Sequence, residues 1–473
     1  MRVFFASAEL APLAQSGGLG DAVAGLARAL AARGHEVVVL LPAYRTALAG
    51  RTSPPLAQGP AVRLAGPFGE LRGRWLTGTL APKLELRLLD LPAFFDRPGL
   101  YGFEDDAPRF CTFARAAAVL AHEERPDVLV AHDWHAALAL CSLRTLFDRG
   151  PTRGVGAVQV VHNNAYQGRA PAGAMAWTGL PPELFAPDGL EFFGELSLLK
   201  AGLVCADRIV AVSPGYAREI QTPEFGEGLE GVYQLRRARL LGIANGLDTE
   251  RFDPGCDGAL VERFHGRAPA GKERCREAAL AELGLEAPDP GRFLAAIGRL
   301  SPQKGWDVLI AALPELVAAG ASLALLGDGE RGLADALRAA AARFPGRVRA
   351  SLGWDEALAR RVYAGADAVM IPSRFEPCGL VQLTAQRYGA LPVAHRVGGL
   401  ADTIEDDESG VLFAPLSPAE LVAAAERAAA LVRARGHERL VRALLELDVS
   451  WARPAALWES ALESVAREAR ARV

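Results

Sequence analysis

Little in this chain commits it to a nucleic acid, a membrane, a metal or a disulfide scaffold. Its 52 basic residues stand against 56 acidic ones, a net charge of −4, so the basic excess that phosphodiester backbones and anionic lipid surfaces select is missing. No nucleic-acid or membrane partner is expected. Cysteine is sparse: Cys111, Cys141, Cys205, Cys256, Cys275 and Cys378 are scattered over 473 residues with no C-x-x-C pair, a pattern that favours reduced thiols in a long chain. Aromatics reach only 7%, yet apolar residues make up 50%, which gives an Ala/Leu/Val-rich chain with ample core and excludes disorder. Long apolar runs are missing too. The stretch 308 to 327 is interrupted by Pro314, Glu315 and Gly320 and reads as helix, turn and strand. The opening "MRVFFASAELAP" is broken at Glu9, before it reaches the length of a signal-peptide core. The expectation is a soluble, cytoplasmic protein.

Two familiar routes to a bound nucleotide are also absent. No Asp-x-Asp occurs, so a metal-held nucleotide diphosphate is not indicated. "GRAPAGKE" (266 to 273) fits G-x-x-x-x-G-K, but Glu273 stands where a phosphate loop has Ser or Thr, and no strand precedes it. His132 and His135 have no third ligand at metal-site spacing. Neither a metal nor a cofactor is expected, and any diphosphate must be held by cations and helix ends.

What is present is an alternation. "RVFFAS", "HEVVVLLP", "DVLVAH", "AVQVVH" and "RIVAVS" in the first half, then "FLAAIG", "SLALLG", "AVMIP" and "LPVAH" in the second, are short β-rich runs separated by amphipathic stretches. That pattern predicts an α/β chain with parallel, doubly wound sheets. Gly, Asn, Asp and Pro cluster at 240 to 258, which places a domain boundary just before. The last stretch is amphipathic, with Leu457, Trp458, Leu462 and Val465 as its apolar stripe. In open parallel sheets ligands bind beyond the carboxyl ends of strands. At those ends stand Glu9, "HDWH" (132 to 135), "HNNAYQG" (162 to 168), "GRLSPQKG" (298 to 305), "GDG" (327 to 329), "SRFEPCG" (373 to 379) and "RVGGLAD" (396 to 402).

Each of these has a plain structural alternative. Gly17, Gly18 and Gly20 open a helix after a strand, which suits either a tight turn or the approach of phosphate to a helix end. "VGGLADTI" (397 to 404) nearly repeats "SGGLGDAV" (16 to 23), which favours a paired role. Arg299 and Lys304 are either solvated charges or phosphate-holding groups on a loop shaped by Gly298, Pro302 and Gly305. Glu376 either caps the following helix or faces a developing positive charge. Cys378 reads as a packed small residue without a partner base. His162, with Asn163 and Asn164, reads as a set of hydroxyl-binding groups.

Taken in order, "HNNAYQG", "GLEFFGELSLLKAGLVCAD", "VSPGYAREIQTPEFGEGLEG", "GIANGLDTERFDP", "GRLSPQKGWD", "SRFEPCGLVQL", "RYGALPV" and "GGLADTI" resemble the bacterial glycogen synthase and plant starch synthase family, retaining glycosyltransferases of the GT-B fold. The likeness spans nearly the whole chain. It implies two Rossmann-like domains facing across a deep cleft. Residues 1–240 would form the acceptor-side domain, 241–455 the donor-side domain, and 456–473 a helix crossing back to the first. It further implies transfer of glucose from ADP-glucose to the non-reducing end of an α-1,4-glucan such as glycogen. By matching motif, His162, Arg299, Lys304 and Glu376 would be catalytic. Gln15, Gly17, Gly18, Asp21, Asn245, Trp354, Cys378, Gly379, Leu380, Gly398, Gly399 and Leu400 would bind the donor, with Trp354 stacking on adenine. His132, Asp133, Asn163 and Tyr166 would bind the acceptor or the sugar. One departure stands out: the family reads Lys-x-Gly-Gly-Leu where this chain has Gln15-Ser16-Gly17-Gly18-Leu19. Losing that cation keeps two alternatives open, a UDP-sugar transferase of the same fold and a weakened paralogue that only binds glucan or nucleotide-sugar. Nothing in the sequence specifies an oligomeric state.

Overall fold

Residues 1–49, 53–148 and 150–473 are described by the structure, a computed structural model. The chain divides into two compact units, Met1–Asn245 with Trp451–Val473, and Gly246–Ser450. The divisions lie five residues from those drawn on the sequence, and each shift has a local cause. Strand Leu240–Gly242 pairs in parallel with Arg208–Ala211, so it belongs to the first unit. Trp451 packs so closely on helix Gly18–Ala32 that a Cβ on Gly25 would lie 2.0 Å from its indole nitrogen.

In the first unit the apolar runs become a nine-stranded sheet. Seven strands are parallel, in the spatial order Leu240–Gly242, Arg208–Ala211, Gly156–Val161, Val128–His132, Arg2–Ala6, Glu36–Pro42 and Leu84–Asp90. An antiparallel hairpin, Gly69–Ala81 and Ala57–Gly66, extends the last edge. The central strands are buried throughout (Val128–His132, Gly156–Val161), as a sheet with helices on both faces requires. Numbered by chain order among the parallel strands, the arrangement is 7-6-5-4-1-2-3.

The second unit holds a six-stranded parallel sheet in the order Val348–Leu352, Ser322–Gly327, Phe293–Ile297, Ala368–Ile371, Leu391–His395 and Val411–Phe413. This is the 3-2-1-4-5-6 order of the doubly wound fold. Two buried clusters line its two faces, one containing Phe293, Val369 and Leu400, the other Leu323, Met370 and Trp306. The decoy lysine has a structural task here: buried Lys272 donates to the carbonyls of Ala364 and Tyr388 at 3.0 and 2.9 Å, holding two chain turns together.

Helix Ala452–Arg470 lies on the first unit's sheet and turns Trp458, Leu462, Val465 and Ala469 inward. Leu457 is 49% exposed, which corrects its place in the expected stripe: one residue before Trp458, it falls about 100° off the buried face. Polar contacts pin the flanks, a hydrogen bond between Glu459 and His35 at 2.9 Å and an ion pair between Glu468 and Arg208 at 2.6 Å. Trp458→Ala is expected to cost the first unit about 3–5 kcal/mol, whereas Leu457→Ala changes stability by less than about 0.5 kcal/mol. Urea titration of the two variants checks this, and equal midpoints would contradict the assignment of the buried face.

Candidate active site

A doubly wound sheet opens a crevice where the helices after adjacent strands leave on opposite faces, between strands 1 and 4 in this order. In the first unit those are Arg2–Ala6 and Val128–His132. Immediately beyond the first comes Glu9, 3% exposed. Its carboxylate accepts from the Ser16 N–H at 2.8 Å, the Gly17 N–H at 3.2 Å, the Ser16 hydroxyl at 2.8 Å and the Tyr101 hydroxyl at 2.9 Å. Glu9 therefore fastens the first Gly-Gly-Leu turn from beneath. The amides of Ser16 and Gly17 are thereby engaged by an internal anion, a partner that the sequence did not reveal. Gln15 is exposed, and its amide donates to Asp21 at 2.5 Å and to the Gly17 carbonyl at 3.1 Å. The sequence marked Glu9 by its position at a strand end. Tyr101, 92 residues away, carried no signal.

At the end of the other strand of the crevice, His132 Nδ1 lies 3.0 Å from His162 Nε2. Asp133, held at φ +53°, accepts the backbone N–H groups of His162 and Asn163 at 2.7 and 3.3 Å. It thus shapes the segment that follows strand Gly156–Val161. Burial and the neighbouring Glu9 push Asp133 up to about 7, against the pull of its two N–H donors. Desolvation pushes His162 down to about 3, and His132 and His135 also well below the ordinary imidazole range. His162 is neutral near pH 7 and so offers a hydrogen bond rather than a charge. Asn164 is structural: it accepts from the Tyr233 hydroxyl at 2.7 Å and donates to the Gly226 carbonyl at 2.8 Å. Tyr166 is half exposed, and Asn245 is buried at the end of this unit.

In the second unit, strands 1 and 4 are Phe293–Ile297 and Ala368–Ile371. Arg299 follows the first and Glu376 the second. Lys304 reaches Glu376 Oε2 at 2.5 Å, and the Ser373 hydroxyl donates to the same oxygen at 3.0 Å. The carboxylate makes these contacts instead of capping the helix Val381–Arg387, whose N-cap has no side-chain hydrogen bond. The loops are zipped together by Arg374 N–H to the Gln303 carbonyl at 2.8 Å. Gly305, at φ +66°, comes so near Pro372 that a Cβ would lie 1.9 Å from its carbonyl oxygen. Arg299 is exposed, and the Trp306 indole donates to its carbonyl at 2.8 Å.

The second Gly-Gly-Leu turn follows strand 5, Leu391–His395, and opens the short helix Gly398–Thr403. Its Gly399 N–H donates to the Glu376 carbonyl at 2.9 Å, and a Cβ there would lie 2.4 Å from Cys378 Cα. Gly399 is thus needed for close packing beneath Glu376. Leu400 is fully buried and its N–H donates to the Val397 carbonyl, so its side chain serves the core. Cys378 is likewise buried; Gly379 takes φ +76°, and Leu380 precedes the helix. Trp354, beyond strand 3, is 64% exposed.

Two doubly wound parallel sheets, each with charged groups beyond strands 1 and 4, are what the resemblance to GT-B glycosyltransferases implied, and the comparisons with known proteins establish that class. The family model of the starch synthase catalytic domain matches residues 2–235, and that of glycosyl transferases group 1 matches residues 291–430. The glycogen synthase of Methylocella silvestris is 42% identical over 97% of this chain and 98% of its own, and that of Thermus thermophilus 43% identical over 96% and 97%. Among solved structures, the catalytic domain of starch synthase IV from Arabidopsis thaliana, bound to ADP and acarbose, matches with a TM-score of 0.90 at 31% identity, covering 98% of this chain and 99% of that one. Sucrose-phosphate synthase from Thermosynechococcus elongatus, at 17% identity and a TM-score of 0.62, shares the fold. The chain belongs to the glycogen and starch synthase family.

The raised Asp133 carboxyl has a pH signature. A group whose folded value lies near 7 and whose unfolded value is about 3.9 binds more protons when folded between those limits, so its contribution to stability is full below pH 4 and is lost as pH rises through 7. Asp133→Asn keeps a carbonyl acceptor for the two N–H groups and removes that loss. Relative to the parent, the variant should gain at most about 1.4 kcal/mol per pH unit across this window. Parallel stability curves from pH 4 to 8 would refute the assignment.

Proposed function

We propose that this chain transfers glucose, with retention at the anomeric carbon, from ADP-glucose to the non-reducing end of an α-1,4-glucan. The observation that carries the chemistry is the meeting of Lys304 and Glu376 at the crevice of the second sheet, with Arg299 on the adjoining strand end. Transfer breaks the bond between the sugar carbon and the diphosphate and forms one to the acceptor hydroxyl. Positive charge grows on the sugar carbon and negative charge on departing ADP. Arg299 and Lys304 oppose the second; Glu376, rigidly placed by Ser373 and by its own carbonyl contact with Gly399, opposes the first. Loss of one preorganised donor to such a developing anion typically costs about 10²–10³ in rate. His162, neutral, binds a sugar hydroxyl, and Trp354 offers its exposed face to adenine. Likeness to glycogen synthases over nearly the full chain supports donor and acceptor alike.

Glucose incorporation into glycogen, measured side by side from ADP-glucose and UDP-glucose, tests this reading. ADP-glucose should be the better donor, and its transfer should persist in excess EDTA because cationic side chains carry the diphosphate. Preference for UDP-glucose would replace the donor; no transfer from either would leave only binding.

Gln15 sets a second expectation. Its amide brings no net charge, and an ammonium in its place adds attraction to a phosphate while pairing with Asp21. Gln15→Lys should raise kcat/KM for ADP-glucose several-fold at most, about 1 kcal/mol, with the gain shrinking as salt rises. An unchanged kcat/KM for both donors would mean that the first turn does not sense donor charge.

A further inference from the structure

The segment that starts at His162 runs into strand Arg169–Pro171, which pairs with Glu195–Ser197, itself paired with Glu191–Phe192. Phe193 and Gly194 form the two-residue turn between those last strands, at φ +51° and +82°. A turn with both central residues left-handed favours Asn-Gly, because a bulky side chain at the first position is strained. This turn carries a phenylalanine instead, and the residue is 77% exposed. Neither backbone preference nor core packing explains it. The ring is nevertheless held: Phe192 meets it edge-on at 4.7 Å, and Glu191 accepts the Gly194 N–H at 2.6 Å.

Phe193 stands at one side of a depression of about 710 Å³, with Leu235, 88% exposed, also on its lining. Gln234, Arg237 and Glu191 add polar edges. Lys200 also reaches it, but that side chain is buried and its ammonium is spent on the carbonyls of Pro187 and Glu191, at 2.5 Å each. The charges of Lys200 and Arg237 are offset by Glu191 and by the neighbouring Asp188, which leaves little field of either sign and suits a neutral ligand. Strained and exposed apolar groups are retained where they meet a partner. A neutral chain with apolar C–H faces and planar-reachable hydroxyls fits that lining.

We propose that this depression is a glucan-holding site, in which Phe193 stacks on sugar rings of the acceptor polymer and Gln234 and Arg237 take its hydroxyls. The proposal rests on the glucan acceptor argued above and assigns a holding role to residues outside the reaction centre. Remote binding of this kind tethers a long acceptor while leaving the chemistry of a short one untouched.

Phe193→Asn is the discriminating variant, since it creates the Asn-Gly turn that the backbone prefers and so keeps or raises the melting temperature. Two measurements are compared with the parent: retardation in native gels containing glycogen, and transfer kinetics on glycogen and on maltotriose. Retardation should weaken and KM for glycogen rise about three- to tenfold, the change that an aromatic contact represents, with maltotriose kinetics unchanged. Leu235→Ser should act in the same direction. Unaltered retardation and KM in both variants would overturn the site. So would an equal loss on maltotriose, which would put Phe193 in the reaction centre. Retardation needs no turnover, so failure of the parent to transfer glucose overturns the assigned reaction and leaves this binding test standing.

Discussion

The direction of the strands governs everything else in this molecule. When strands run parallel, their carboxyl ends share one edge, and the change of winding between strands 1 and 4 opens a crevice there. In one unit that edge receives Glu9 and His132; in the other it receives Arg299 and Glu376. The strands flanking the two crevices are almost wholly apolar, so polar groups gather at their carboxyl ends and just beyond. Buried charge at such places is costly unless paired, and the pairing is visible. Glu9 has four hydrogen-bond donors, and Glu376 has an ammonium and a hydroxyl.

The sequence made the central strands legible because both of their faces are buried, which leaves a continuous apolar run such as "DVLVAH". The edges were not legible for the same reason. Val348–Leu352 reads VRASL with only its first residue buried, and Leu84–Asp90 alternates Leu with Glu and Arg; neither has the signature of a core strand. The hairpin from 57 to 81 mixes Gly, Arg and Thr on a largely exposed edge. The strand-end rule pointed to the candidate residues beyond strands 1 and 4 one at a time. Their partnerships were hidden, since Tyr101 meets Glu9 across 92 residues, Lys304 meets Glu376 across 72, and His132 meets His162 across 30. Separations of that size belong to topology, not to motif spacing.

The near-repeat of Gly-Gly-Leu shows how similar local sequences answer different constraints. The first follows strand 1 and is tied down by the Glu9 carboxylate. The second follows strand 5, and its Gly399 lets the chain pass within packing distance of Cys378 while bonding the Glu376 carbonyl. Shared geometry, a tight entry from strand to helix, accounts for the shared letters. Shared ligand contact is not needed to explain them.

That difference bears on where positive charge for a diphosphate can come from. With Glu9 beneath the first turn, an amide at Gln15 and the Asp21 carboxylate beside it, the local balance there is acidic. On the reaction proposed above, the burden would fall on Arg299 and Lys304, of which Lys304 is already held at 2.5 Å by Glu376. An arriving diphosphate would compete for that ammonium, and whatever share it took would leave the Glu376 carboxylate less neutralised. The same event that steadied the leaving group would therefore strengthen the negative field beside the sugar carbon. On that proposal, binding of the nucleotide and stabilisation of the cationic sugar would be coupled through one ion pair, with the site most strongly polarised when the diphosphate is in place.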